Sequence, residues 1–230
     1  MFYWPASRIL IKPFCRYHFA DPHYLDQFKP PEGKEKFESF QDFFTRALKE
    51  PPMAQAEKVW CCEGNLCHYG KVGDIPNSQV KGKLFKIDQI FGQSIPTDYY
   101  FSNVFLHNKN YHRIHAPISG KITRIQHIPG ELMVLRPWIF INNPSLPAFR
   151  NERINLDIQD ELGRTWYLSI IGGPAVGAIS LPEEIKVDKT VDLLQEIAQF
   201  HLGSTCCLAA PIPMQECWST GDWVEVGDAY

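Results

Sequence analysis

The chain has 230 residues, 44% of them hydrophobic and 13% aromatic, with a formal net charge of −3. That length sets one large domain or two small ones, and the apolar content supports a sizeable core and excludes disorder. Basic and acidic residues are well mixed, so nothing marks a nucleic-acid surface, and no run approaches the ~20 apolar residues of a membrane span.

Residues 1–35 carry Pro5, Pro13, Pro22, Pro30 and Pro31 and read as an irregular N-terminal arm. The arm has no basic start followed by an apolar run and a small-residue cleavage site, so no secretory signal is expected. Phe2, Tyr3 and Trp4, with Ile9, Leu10 and Ile11 beside Arg8 and Lys12, suit either a membrane interface or packing on the body. Residues 36–230 are expected to form a single domain. A helix is expected over 35–48, because Phe37, Phe40, Phe44 and Leu48 recur at spacings of three and four before Pro51-Pro52.

From residue 59 the character changes. Short β-like runs alternate with Gly, Pro and Asn turns, at 59–62, 69–72, 80–85, 121–127, 132–135, 138–141, 154–158, 166–171, 175–179 and 223–226. Residues 87–91 and 98–101 read as short helical turns. The expected class is α+β, a mostly antiparallel β core of barrel or sandwich type with an N-terminal helix and short helices. Residues 191–200 fit a helix by propensity, yet Ala198, Phe200 and Leu202 also alternate as in a strand.

Seven cysteines, two pairs of them adjacent, do not suit a disulfide scaffold in a chain of this length, and they are read as reduced thiols of a cytosolic protein. Cys61, Cys62, Cys67 and His68 lack the spacing of paired zinc ligands, so no metal site is assigned.

Two stretches carry candidate chemistry. In Leu202-Gly203-Ser204-Thr205 the glycine reads either as a bulge in a strand or as half of a reactive peptide bond. A serine hydroxyl beside a glycine carbonyl attacks it if a base takes the hydroxyl proton. The base candidates lie in Tyr111-His112-Arg113-Ile114-His115-Ala116-Pro117, where two histidines precede a turn that feeds a strand. Such a pair suits proton transfer, a zinc fragment or plain structural use. Pro117-Ile118-Ser119-Gly120 also looks like the hairpin of biotinyl and lipoyl carriers, but no acceptor lysine turn accompanies it.

These segments come in a telling order. Phe43-Phe44-Thr45-Arg46, Lys81-Gly82, Tyr111 to Pro117, Pro129-Gly130-Glu131, Asn151-Glu152-Arg153, Gly172 to Ile179 and Leu202 to Thr205 resemble the phosphatidylserine decarboxylase family. The likeness runs from about Phe37 to the C-terminus. It implies a proenzyme that cuts itself between Gly203 and Ser204. The products would be a large subunit, 1–203, and a small subunit, 204–230, headed by a covalent pyruvoyl group derived from Ser204. That carbonyl would draw off the electrons left as CO₂ departs from phosphatidylserine, giving phosphatidylethanolamine.

By the same resemblance Ser204 is the nucleophile and His115 the base, while His112 and Tyr111 lie on the substrate side. Glu63 stands where the family has the aspartate that orients the base. Asn110 replaces an aspartate frequent in bacterial members, and Leu193-Leu194-Gln195-Glu196 replaces Lys-Gly-Glu-Glu. A lipid substrate implies a cytoplasmic protein held peripherally on a membrane, through the N-terminal aromatics or Tyr99-Tyr100-Phe101. Assembly of several copies is left open. The alternatives are an unprocessed homologue that binds lipid or protein, and a decarboxylase of another amino-acid head group.

Overall fold

The computed structural model describes residues 4–75, 78–80, 83–134, 146–173 and 177–230. The N-terminal arm is partly helical. A 3-10 segment over Pro5–Leu10 runs into helix α1 (Ile11–His18), in which Ile11 is buried and packs with Phe40 and Phe43. Strand β1 (Phe28–Lys29) follows, then helix α2 (Phe40–Phe44) and strand β2 (Ala47–Leu48), which pairs with β1.

Helix α2 is much shorter than its apolar spacing predicts. Its start is fixed by a capping box, in which the Ser39 side chain and Asp42 each accept a backbone N–H of the other. Its end is fixed by pairing of residues 47–48 with the arm. Both are specific hydrogen-bonding events that override periodicity.

Strands β3 (Gly64–Lys71), β4 (Ser78–Val80) and β5 (Lys83–Phe85) precede helix α3 (Asp88–Phe91). Then come β6 (Tyr100–Leu106), β7 (Arg113–His115), β8 (Gly120–Ile128) and helix α4 (Leu146–Arg150). Next are β9 (Arg153–Gln159), β10 (Thr165–Gly172), β11 (Ile179–Ser180) and β12 (Thr190–Val191). The last three are β13 (Glu196–Phe200), β14 (Ser204–Ala210) and β15 (Trp223–Val224).

Eight of these strands form an antiparallel sheet in the order β12-β8-β9-β10-β14-β6-β3-β15, and β11-β13-β7 form a second sheet. Among the described residues the order is linear with β12 and β15 at its edges, a sandwich-like rather than a closed arrangement. Alternation along β14 shows how the layers are filled. Cys206, Leu208 and Ala210 join the main core with Ile114, Ala198 and Phe200 of the small sheet. Cys207 and Ala209 face the other way, onto Ile90 and Phe91 of α3 and Phe149 of α4.

Several segments differ from expectation. Residues 98–101 are a turn that opens β6, not a helix, and β6 was not legible as a strand at all. Its Ser102 and Asn103 are polar but buried between β14 and β3, so alternation is hidden. Residues 59–62 make one isolated bridge, Val59 to Ala229, and 132–134 form no strand. The expected strand 138–141, Leu135, Lys81-Gly82 and residues 175–176 lie outside the described residues. The ambiguous 191–200 resolves with Glu196–Phe200 as a strand.

Candidate active site

Helix α2 is the platform of the site. Gln41 donates from its side-chain nitrogen to the His201 carbonyl at 2.7 Å. The Phe44 ring stacks on His112 with centroids 3.8 Å apart. One residue past the helix cap, Arg46 is fully buried. It donates to the carbonyls of Phe43, Lys109 and Asn110 and to the Tyr24 hydroxyl, with the rings of Phe28 and Phe43 against its guanidinium. A buried charge needs acceptors, and these four oxygens meet the two terminal nitrogens, while Nε has no partner among the described residues. The motif residues thus tie one short helix to both candidate stretches.

The Gly203-Ser204 junction sits where the small sheet hands the chain to the large one. Phe200 ends β13, with its N–H on the His112 carbonyl at 2.9 Å, and His201 N–H reaches the Ala178 carbonyl at 2.7 Å. Gly203 turns with φ +57°, and Ser204 then opens β14 between Gly172 and Leu106. Left-handed backbone is natural for glycine. Gly173 packs against this turn, so a Cβ there would lie 2.7 Å from the Gly203 Cα. Ser204 is fully buried, and its hydroxyl has no hydrogen-bond partner among the described residues.

The two histidines occupy different settings. His112 is fully buried, and its Nδ1 lies 2.8 Å from the Asn110 carbonyl. A carbonyl only accepts, so Nδ1 carries the proton and Nε2 presents a lone pair. That Nε2 has no partner among the described residues. Burial first, and then the Arg46 charge, holds His112 well below the usual histidine range, so the ring is neutral. His115 likewise donates from Nδ1, to the Leu194 carbonyl at 2.6 Å, and its Nε2 faces the Tyr111 hydroxyl at 3.1 Å. Burial lowers its pKa too. Along β13, His112 stands opposite Phe200 and His115 opposite Glu196, so His112 is four residues of pairing nearer to Ser204. In β7 the Ile114 side chain enters the core between the sheets, while Arg113 and His115 line a cleft of about 670 Å³ with Tyr111, Glu196, Lys34 and Lys49.

Glu63 is not hydrogen-bonded to His115. Its carboxylate accepts from the Asn110 side chain at 2.5 Å and from the Tyr111 N–H at 3.2 Å. Burial raises its pKa. Its link to His115 is indirect, through Tyr111, whose hydroxyl reaches that ring. The charged residues that build the site were not assigned roles from sequence. Arg46 is one. Arg113 is another, paired with Glu196 at 2.6 Å and bonded to the Thr45 and Arg46 carbonyls. Their place inside a recurring segment was the available signal. A smaller pocket of about 200 Å³, lined by Phe14, Phe40, Gln41, Phe44, Asn108 and Leu202, adjoins the turn before Gly203.

Fold and site together define an α+β protein with a buried serine at the head of a central strand and a pair of neutral, buried histidines. The sequence pattern described as phosphatidylserine decarboxylase matches residues 40–230. The chain belongs to the phosphatidylserine decarboxylase family, whose members are carboxy-lyases. Similar proteins include one of Psychrobacter cryohalolentis, 28% identical over 93% of this chain and 82% of that protein. One of Methylibium petroleiphilum is 30% identical over 84% of this chain and 77% of its own length. One of Acinetobacter baylyi is 32% identical over 75% of this chain and 67% of its own length. Each is named a phosphatidylserine decarboxylase proenzyme.

Proposed function

We propose that this chain decarboxylates phosphatidylserine to phosphatidylethanolamine after cutting itself between Gly203 and Ser204. The observation that carries the reading is the Ser204 hydroxyl, buried without a partner beside a left-handed glycine. Burying an unpaired hydroxyl costs ~1–3 kcal/mol. The Ser102 and Ser169 hydroxyls are also unpartnered among the described residues, so what supports the reading is the place of Ser204 directly after the left-handed Gly203.

The cut needs only groups of this chain. Ser204 gives its proton to a neutral histidine, and its oxygen bonds to the Gly203 carbonyl carbon. The C–N bond breaks, and the nitrogen takes up the proton. The ester then opens by elimination across the Ser204 Cα–Cβ bond, leaving a carboxylate on Gly203. Addition of water and loss of ammonia leave a pyruvoyl group at the head of 204–230. When present, that group supplies the electron sink that amino-acid decarboxylation requires.

The resemblance assigns the cutting base to His115, whose Nδ1–H is fixed by Leu194 so that Nε2 is the basic nitrogen. Glu63 then acts as a positioning residue, because it holds the Tyr111 backbone while the Tyr111 hydroxyl holds the ring. His112, with its free Nε2, handles the substrate carboxylate and the proton returned to carbon. A second assignment exchanges the two histidines. It is favoured by the unpartnered Nε2 of His112 and its nearness in register to Ser204.

Contact with a membrane is assigned to the N-terminal segment. Trp4, Ile9, Leu10 and Tyr17 are exposed there beside exposed Arg8, Lys12 and Arg16. Phe101 of the other candidate cluster is core, and Phe2 and Tyr3 lie outside the described residues. Among the described residues no helix is long and apolar enough to cross a membrane.

Intact mass under denaturing conditions tests the reading. Two chains divided at 203/204 are expected, the small one with a blocked N-terminus, and Ser204→Ala and His115→Ala should each stay whole. A wild-type chain that stays whole would mean an unprocessed homologue. If His115→Ala cuts and His112→Ala does not, the roles are exchanged. Release of CO₂ from phosphatidylserine vesicles, against free serine and other amino head groups, fixes the substrate class. Trp4→Ala with Leu10→Ala should slow release from vesicles more than from detergent-dispersed lipid.

A further inference from the structure

One cluster of reactive side chains has no part in this chemistry. Cys61, Cys62 and Cys206 are all buried, and their sulfur atoms lie within 4.8 Å of one another. The Cys61 and Cys206 sulfurs are 3.7 Å apart. All seven cysteines of the chain are free thiols. Two neighbours in sequence present both sulfurs to one point because the chain bends at 61–62 instead of running extended. The third sulfur comes from the middle of the large sheet.

We propose that these three sulfurs bind a single copper(I) ion. Thiolates are soft ligands and select soft ions. No carboxylate or imidazole belongs to the group, which removes the donors that hard ions require. Structural zinc sites and iron–sulfur clusters take four protein ligands, and only three are gathered here among the described residues. Copper(I) is satisfied by two or three sulfurs.

Binding through two thiolates and one thiol releases two protons to solvent and leaves one net negative charge, which limits the cost of burial. Cys67 stands apart. Its sulfur lies 3.4 Å from the Asn65 carbonyl, and burial raises its pKa to about 11.

The placement gives the ion a structural consequence. Cys206 is two residues past Ser204 on β14, and the Cys61 carbonyl accepts the His115 N–H at 2.9 Å. Copper would bind the strand headed by Ser204 to the segment that leads into Glu63. It would do so whether or not the 203/204 bond is cut, so this proposal stands apart from the assigned reaction.

The test uses the full chain, made in copper-supplemented cells and, separately, refolded metal-free with copper(I) under anaerobic reducing conditions. Copper per chain is measured after competition with a copper(I) chelator, and X-ray absorption reports the ligand atoms. One copper per chain with a sulfur-only shell is expected. Retention in Cys206→Ser should fall by at least about tenfold, a loss seen even for groups behind metal ligands, while Cys67→Ser and Cys217→Ser keep it. Absorption on the unsubstituted chain decides the matter if Cys206→Ser does not fold. The proposal is overturned by no retained copper, by nitrogen or oxygen in the shell, by preferential uptake of zinc, or by equal retention in Cys206→Ser. A Cys61–Cys206 disulfide that forms under the same reducing conditions and excludes copper overturns it as well.

Discussion

Glu63 shows how a single methylene is absorbed. Both of its partners are donors, the Asn110 amide and the Tyr111 N–H, and a carboxylate accepts from both. Asn110 is turned by its own oxygen, which accepts the His107 N–H at 2.6 Å. Glu63→Gln has one amide oxygen for two donors, so one bond is lost. We expect a stability loss of ~1–2 kcal/mol. Cutting should slow by up to ~10²-fold if Tyr111 shifts by an ångström. Time-resolved intact mass with urea unfolding checks both, and a variant that cuts at the normal rate would remove Glu63 from the process. Asn110 and Arg46 explain why the local sequence tolerates this. The Asn110 carbonyl takes Arg46 and His112 together, so His112 is fixed without a charged partner.

At the scale of elements, α2 and the turn before β14 behave as one unit, joined by Gln41 and the His201 carbonyl. Gly173 lies against that turn, where its N–H reaches the Leu202 carbonyl at 3.3 Å. A Cβ at 173 would meet that oxygen at 2.9 Å as well as the Gly203 Cα. Gly173→Ala is therefore expected to fold with the sheet intact but to displace Gly203 and slow cutting by about tenfold or more. Circular dichroism and intact mass separate the two effects, and normal cutting would show that the turn is not held from this side.

The same elements show what was legible. Strands with one apolar face, such as β8 and β9, were read nearly to their ends. The serine, the glycine and the histidine pair were found because their residue types carry chemistry. β6 was missed because it lies between β14 and β3 and buries polar residues. The helix at 35–48 was overextended because a capping box and a strand pairing, not periodicity, set its limits. The expected Glu63–His115 contact came from order in sequence, which says nothing about which donor a carboxylate meets in space.

For the whole molecule, burial sets the acid response. His68, His112, His115 and His201 all have pKa values lowered by burial from the ordinary 6.5. A group lowered in the fold binds more protons when unfolded. Its contribution to stability is complete above 6.5 and is lost as pH falls from there through the folded values. Glu63 and Asp157, raised by burial, act with the opposite sign, and their contribution is complete only below the ordinary carboxylate values. The urea midpoint should therefore fall between pH 7.5 and ~5.5. A midpoint that rises over that range would contradict the neutral-histidine assignment.

β14 lies between β10 and β6, paired along its full length from Ser204 to Ala210. A cut before Ser204 therefore severs the chain without freeing either piece. One fold then consists of two molecules. The uncut chain regains its fold at any dilution, because all its strands travel together. After the cut, the central strand of the sheet must be recaptured from solution, and regaining the fold becomes a second-order event that depends on protein concentration.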